Sequence, residues 1–233
     1  MSASYWQEFL SSSKTVLLLQ GPIGPYFYQL NEFLCEHGKD VYKLNFNGGD
    51  SFYYPHNACT YVYNDSLENF QRYLSDFIEK YQVDTIVCFG HKRAYHVIAK
   101  QLCLENSQDI SFWSFEEGYL RPYYITFEKW GVNNASILPR DANFYLNQIS
   151  VVPELRQPQP VTASFSSRAW LATHYYMSMH FHKDYYSKYV HHRERRIWNY
   201  IGAWCTSAWR KWAYRPYESS LAKNIEDSHF PEF

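Results

Sequence analysis

The chain has 233 residues, enough for one full domain with an appendage or for two small domains. A formal net charge of −1 argues against a protein built throughout to bind nucleic acid. Aromatic residues make up 20%, with 23 Tyr and 8 Trp, more than a core of this size needs; such rings suit sugar faces, protein interfaces and the membrane headgroup layer, and composition does not choose among them.

Before Thr15 there is no basic-then-apolar signal pattern, and no run reaches the roughly 18 apolar residues of a membrane span. A cytoplasmic protein that touches a membrane surface is expected. Residues 15–20 form a continuous apolar run stopped by Gly21-Pro22, which predicts a strand buried on both faces. Residues 27–37 carry Leu30, Phe33 and Leu34 on one helical face, with Gly38 as the stop. Residues 41–46 alternate like a strand and run into Asn47-Gly48-Gly49-Asp50; residues 60–63 are another extended piece. Residues 67–81 place Phe70, Leu74, Phe77 and Ile78 at helical spacing. A buried strand is predicted at 83–89, a helix at 91–104 and a strand at 110–115. Strands alternating with helices of this length define βαβ units, an α/β fold with a Rossmann-like parallel sheet.

Near Val151 the character changes. Residues 1–150 form the α/β domain, 151–167 a Pro-containing linker, 168–217 a basic aromatic helical segment and 218–233 a polar tail. Residues 168–215 hold nine Lys/Arg against two acids, Asp184 and Glu194. The basic side chains, among them Arg193, Arg195, Arg196 and Lys211, are set for anionic headgroups, with Trp198, Trp204, Trp209 and Trp212 for the interface. Packing of the apolar face against the α/β domain is the competing use. Nucleic acid ranks third, because no recognised binding motif accompanies the charge. The five cysteines show no CxxC spacing and are expected to be free, buried thiols. The ten histidines fall into no metal-binding pattern, so no metal is expected.

Chemistry is expected at the carboxyl ends of the strands. Phe115-Glu116-Glu117-Gly118-Tyr119-Leu120-Arg121-Pro122 puts two carboxylates, a glycine and an arginine where a buried strand ends; a charged turn neutralised by Arg121 is the plainer alternative. If the chain stays extended there, Glu116 and Glu117 point to opposite faces and only one enters a cleft. Gly21-Pro22-Ile23-Gly24-Pro25 lets backbone approach a ligand closely, yet its prolines remove two N–H donors, so a rigid turn shaping the cleft is expected more than a dinucleotide site. Asp50 either binds a sugar hydroxyl or caps a turn. His91, Lys92 and Arg93 open a helix after a strand, an arrangement that suits a phosphate or a sugar carboxylate as well as a solvated first turn.

Leu17-Leu18-Leu19-Gln20-Gly21-Pro22-Ile23-Gly24-Pro25, Asn45-Phe46-Asn47-Gly48-Gly49-Asp50 and Glu116-Glu117-Gly118-Tyr119-Leu120-Arg121-Pro122 occur in this order, continued by Ile125-Thr126-Phe127-Glu128 and Gly131-Val132-Asn133. In this combination, over roughly residues 15–217, the chain resembles the capsule polysaccharide biosynthesis proteins of the KpsS/LipB type. The resemblance implies a Kdo transferase that uses CMP-Kdo to begin a Kdo linker on a phosphatidylglycerol-type lipid, at the inner face of the bacterial inner membrane. It implies a GT-B-like fold, other capsule biosynthesis and export proteins as partners, and a donor substrate rather than a cofactor. By likeness to a Glu-Asp-Gly motif in companion capsule transferases, Glu117 takes the nucleophile position of a retaining double displacement and Glu116 assists. Gly21, Pro22, Gly24, Asp50, His91, Arg93, Tyr119 and Arg121 are then the substrate-binding set. Members of the family are longer, and no second set of βαβ units follows here, so the chain is expected to be the acceptor-side half. A non-catalytic scaffold or export-linked subunit of the capsule machinery is the alternative.

Overall fold

Alternating strands and helices build a mixed α/β domain in the computed structural model, which describes residues 5–105, 110–118, 124–146, 165–191 and 197–226. In chain order the first elements are α1 (Tyr5–Ser12), β1 (Thr15–Leu18), α2 (Tyr26–Glu36), β2 (Asp40–Asn45), α3 (Gly48–Tyr53) and β3 (Thr60–Val62). They continue with α4 (Phe70–Tyr81), β4 (Thr85–Phe89), α5 (Ala94–Glu105), β5 (Ser111–Glu117), β6 (Ile125–Lys129), α6 (Ala142–Leu146), α7 (Phe165–Phe181) and α8 (Ile197–Glu226). The sheet order is β3-β2-β1-β4-β5-β6; the first five strands are parallel and β6 runs antiparallel to β5. With β1 flanked by β2 and β4, successive connections leave in opposite directions, and a crevice opens where they part.

Period-two alternation feeds both layers from each strand. Leu17, Leu19, Leu44, Ile86 and Phe112 face a core closed by Phe70, Leu74 and Phe77 of α4 and Tyr95 and Ala99 of α5. Val16, Leu18, Val41, Val87 and Trp113 face the other core, closed by Phe9 of α1 and Phe27, Leu30 and Leu34 of α2. The sequence pattern does not announce α1. Its anchor is tertiary: Phe9 meets Trp113 and Phe127 edge-on at centroid distances of 5.6 and 5.2 Å. Each fully buried ring of this kind is worth roughly 1.5–3 kcal/mol.

Three boundaries differ from the sequence expectation. Strand β5 runs on to Glu117, because β6 pairs with it through Glu116↔Thr126 and Glu117↔Ile125. The helix expected from 91 starts at Ala94, leaving His91, Lys92 and Arg93 in the preceding turn. The expected turn at 47–50 opens a short helix, α3, with Asn47 as its cap.

Composition places the domain boundary at 150, whereas the first compact unit runs to His192 and the second from Arg193. The reason is α7, which lies directly on α3. A Cβ on Gly49 would meet the Tyr175 ring at 2.5 Å, and one on Gly48 would strike the Ser178 carbonyl, so two glycines clear the seat of this helix. Ser178 Oγ donates to Gly48 O at 2.8 Å, and Tyr53 OH to Leu171 O at 2.7 Å. The turn after α7 adds Tyr189, stacked on Tyr95 at 5.9 Å. In the second unit α8 carries Pro216 within it and continues to Glu226, into the polar stretch. Most of the expected linker, 151–164, lies outside the described residues. All five cysteines are free, but only Cys88 and Cys103 are buried; Cys35, Cys59 and Cys205 are exposed, contrary to the expectation for these three. Burial pushes the Cys88 and Cys103 thiols up to about 12, which keeps them protonated and inert.

Candidate functional site at the carboxyl edge of the sheet

The loops after β1 and β4 meet where the strand order turns. Arg93 spans them, donating from a guanidinium nitrogen to Gly21 O at 3.1 Å. Gly90 has a φ of +77°, which glycine adopts without a Cβ penalty. A Cβ there would lie 3.6 Å from Glu116 Oε2 and 3.8 Å from Arg93 Nε. A carboxylate from β5 and a guanidinium from the β4 loop therefore converge over one glycine at the mouth of the crevice.

The extended backbone separates the two acids of the Glu-Glu-Gly motif. Glu116 continues the face of Phe112 and Ser114 and reaches the crevice; Glu117 continues the face of Trp113 and Phe115 and is exposed. The Glu117 N–H donates to Glu116 Oε1 at 3.2 Å. Gly118 is glycine for a packing reason, since a Cβ there would strike the Tyr124 carbonyl that accepts from its N–H. Buried His91 turns toward the segment after β6: its Nδ1 accepts from Val132 N–H at 3.5 Å, and its ring fits against Gly131. Burial, then Lys100 and Lys92, lower its pKa, favouring the neutral imidazole that this acceptor role needs. Tyr119 and Arg121 lie outside the described residues, as do Arg193, Arg195 and Arg196.

On the other side of the β1 loop lies a cleft of about 260 Å³, counted with its solvent-open mouth. Gly21, Pro22, Gly24 and Asp50, singled out from the sequence, all line it, joined by Lys43, Tyr54 and Tyr175. Asp50 lies in the capped first turn of α3 and is the hub of a polar network. Asn47 Oδ1 accepts from Asp50 N–H at 3.0 Å, while Asp50 Oδ2 accepts from Phe46 N–H at 3.1 Å. Asp50 also accepts from Gln20 Nε2, at 3.3 and 3.2 Å to its two oxygens, and from Tyr175 OH at 3.0 Å. Asn47 Nδ2 donates to Tyr175 OH at 3.0 Å and Gln20 Nε2 to Tyr189 OH at 2.9 Å, so the network ties β1, α3 and α7 together. Burial, followed by Asp50, raises the Tyr175 phenol well above its usual range, and it serves as a neutral donor.

Sequence reasoning missed Lys43. It is 2% exposed, and its Nζ donates to Leu44 O at 2.6 Å. Burial drives the ammonium from 10.5 down to about 8, against the pull of Asp50 and with the help of Arg93. At neutral pH it still carries its charge. The available signal was its place in β2: alternation puts Val41, Lys43 and Asn45 on one face, and in a parallel sheet covered on both sides neither face is wet.

Among the described residues no three His, Cys, Asp or Glu side chains form a metal-binding group, and no helix is long and apolar enough to cross a membrane. Lys211 is exposed on α8, in company with exposed Trp209, Trp212 and Tyr214.

Sheet order, switch-point crevice and polar cleft together define an α/β protein whose candidate site lies at the edge formed by the loops after β1, β2 and β4. The profile of the capsule polysaccharide biosynthesis protein family matches residues 84–232. The chain is 41% identical over 230 residues to the capsule polysaccharide modification protein LipB of Neisseria meningitidis, from serogroup B and from serogroup A, covering 97% of this chain and 54% of each relative. It is 38% identical over 208 residues to the capsule polysaccharide export protein KpsS of Escherichia coli, covering 88% of this chain and 52% of that protein. No solved structure matches. The chain belongs to the capsule polysaccharide biosynthesis protein family, and it spans about half the length of the curated relatives it matches.

Proposed function

We propose that this chain is the acceptor-side domain of a Kdo transferase with a GT-B-like architecture. It takes Kdo from CMP-Kdo and places it on a phosphatidylglycerol-type lipid at the inner face of the inner membrane, where the α8 surface, Lys211 included, and the basic residues Arg193, Arg195 and Arg196 meet anionic headgroups. The observation that carries the reading is the convergence of Glu116 and Arg93 over Gly90 at the switch-point crevice. A carboxylate there suits attack on an anomeric carbon with developing positive charge, and a guanidinium suits the carboxylate of a sugar acid.

In the proposed displacement a Glu116 oxygen bonds to the anomeric carbon as the bond to the CMP phosphate breaks and CMP departs with the electron pair. A lipid hydroxyl then attacks the same carbon, loses its proton to solvent or a neighbouring base, and releases Glu116 as carboxylate. Of the two motif acids, Glu116 is favoured over Glu117 because it shares the crevice with Arg93. A non-catalytic role in capsule assembly or export is the second reading, favoured by the half-length match and by the similarity to the Escherichia coli capsule polysaccharide export protein.

The test is Kdo transfer from CMP-Kdo to a short-chain phosphatidylglycerol, by this chain alone and with the C-terminal portion of the Neisseria relative added. Transfer in either arm, lost in Glu116→Gln, supports the reading. No transfer in either arm from folded protein refutes it in favour of the scaffold role.

A further inference from the structure

Lys43 sits in the cleft with donors to spare. An ammonium has three N–H groups; one goes to Leu44 O, and among the described residues no carboxylate forms an ion pair with it. Asp50, the nearest acid to influence it, has both oxygens engaged by the neutral donors Gln20, Tyr175 and the Phe46 N–H. The Tyr54 ring, 5.7 Å from Nζ, offers only a weak cation–π contact. A methionine would fill the same space without the cost of burying a charge, so packing does not explain a lysine here. The remaining N–H groups belong to a residue that lines an open cleft bounded by the Gly21–Gly24 turn.

We infer that Lys43 is the anion-binding group of this cleft, holding the oxyanion of a small ligand group, either the carboxylate of a sugar acid or a phosphate. The inference rests on the proposed transferase reading only for the identity of the ligand: sugar acid and phosphate are the two anions that such a reaction brings to the protein. Gly21, which lines this cleft, accepts through its carbonyl from Arg93 of the crevice, so the two sites share the β1 loop.

Calorimetric titration with inorganic phosphate and, separately, with free Kdo tests this on wild type, Lys43→Met and a control, Lys80→Met, whose lysine lies on α4. The expected result is saturable binding of at least one anion to wild type and control, weakened about tenfold or more in Lys43→Met, in line with loss of a charged hydrogen bond. Stronger phosphate binding assigns the site to a phosphate, stronger Kdo binding to the sugar carboxylate. In wild-type protein the bound anion also shifts the Lys43 Nζ resonance, a readout independent of how the variant folds. No binding of either anion to folded wild type, undiminished binding to Lys43→Met, or an unmoved Lys43 resonance overturns the inference. Anion binding without Kdo transfer would refute the proposed reaction and leave this site standing.

Discussion

A lysine kept for binding should cost the fold that carries it, and Lys43→Met measures that cost. Lowering the buried ammonium from 10.5 to about 8 corresponds to about 3 kcal/mol of destabilisation of the charged form in the folded protein. Methionine removes that penalty and forfeits the hydrogen bond to Leu44 O, worth about 1 kcal/mol. The variant should therefore be more stable at pH 7 by about 2 kcal/mol, a rise in Tm of about 4–8 °C for a protein of this size. The pH dependence has a definite sign. The folded pKa lies below the unfolded one, so between about 8 and 10.5 the unfolded chain binds the extra proton and wild-type stability rises with pH relative to the variant. The advantage of Lys43→Met is full below pH 8 and shrinks as pH climbs through that window. Urea unfolding of both proteins at pH 7 and at about pH 9.5, compared as a difference so that the tyrosines cancel, reads it directly. A variant less stable than wild type at pH 7, or an advantage unchanged at the higher pH, would refute the argument.

Other consequences are as direct. Gly49→Ala drives a methyl into the Tyr175 ring and should destabilise the domain by about 1–3 kcal/mol, with earlier proteolysis of α7; parental stability would show that α7 does not dock as described. Tyr175→Phe removes the hydroxyl shared by Asp50, Asn47 and Gln20, and should cost about 1–3 kcal/mol in urea unfolding. Flotation with phosphatidylglycerol vesicles should weaken as salt rises from about 50 to 500 mM, and further on replacing Arg193, Arg195 and Arg196 by Ala. Salt-independent absence of binding would remove the membrane from the account.

The parallel sheet was legible because its strands are short apolar runs with glycine stops, and the helices between them carry apolar residues at helical spacing. What stayed hidden depends on contacts distant in sequence. Gly48 and Gly49 look like generic turn glycines, and their purpose emerges only when α7, some 125 residues later, is laid upon them. For the same reason the aromatic segment divides: Tyr175 and Tyr189 belong to the sheet domain's polar network, a fact that basic and aromatic composition does not encode. Strand β5 outruns its apolar core because an antiparallel neighbour extends the ladder through Glu116 and Glu117, and that extension decides which acid turns to the crevice. Asp50 sits in the first turn of α3 behind the Asn47 cap and lines the cleft, a double placement that its turn-like surroundings in the sequence do not announce. Lys43 escaped notice because strand alternation reads a lysine as solvent-facing, whereas a central parallel strand has no solvent face.

In the proposed reaction the crevice carboxylate forms a covalent intermediate, and that intermediate can be sought directly. The chain, with the C-terminal portion of the Neisseria relative, is incubated with CMP-Kdo in the absence of lipid and its peptides are weighed by mass spectrometry. The expected result is a Kdo adduct on Glu116 that disappears in Glu116→Gln and persists in Glu117→Gln. An adduct on Glu117, one that survives Glu116→Gln, or none at all from folded protein would contradict it.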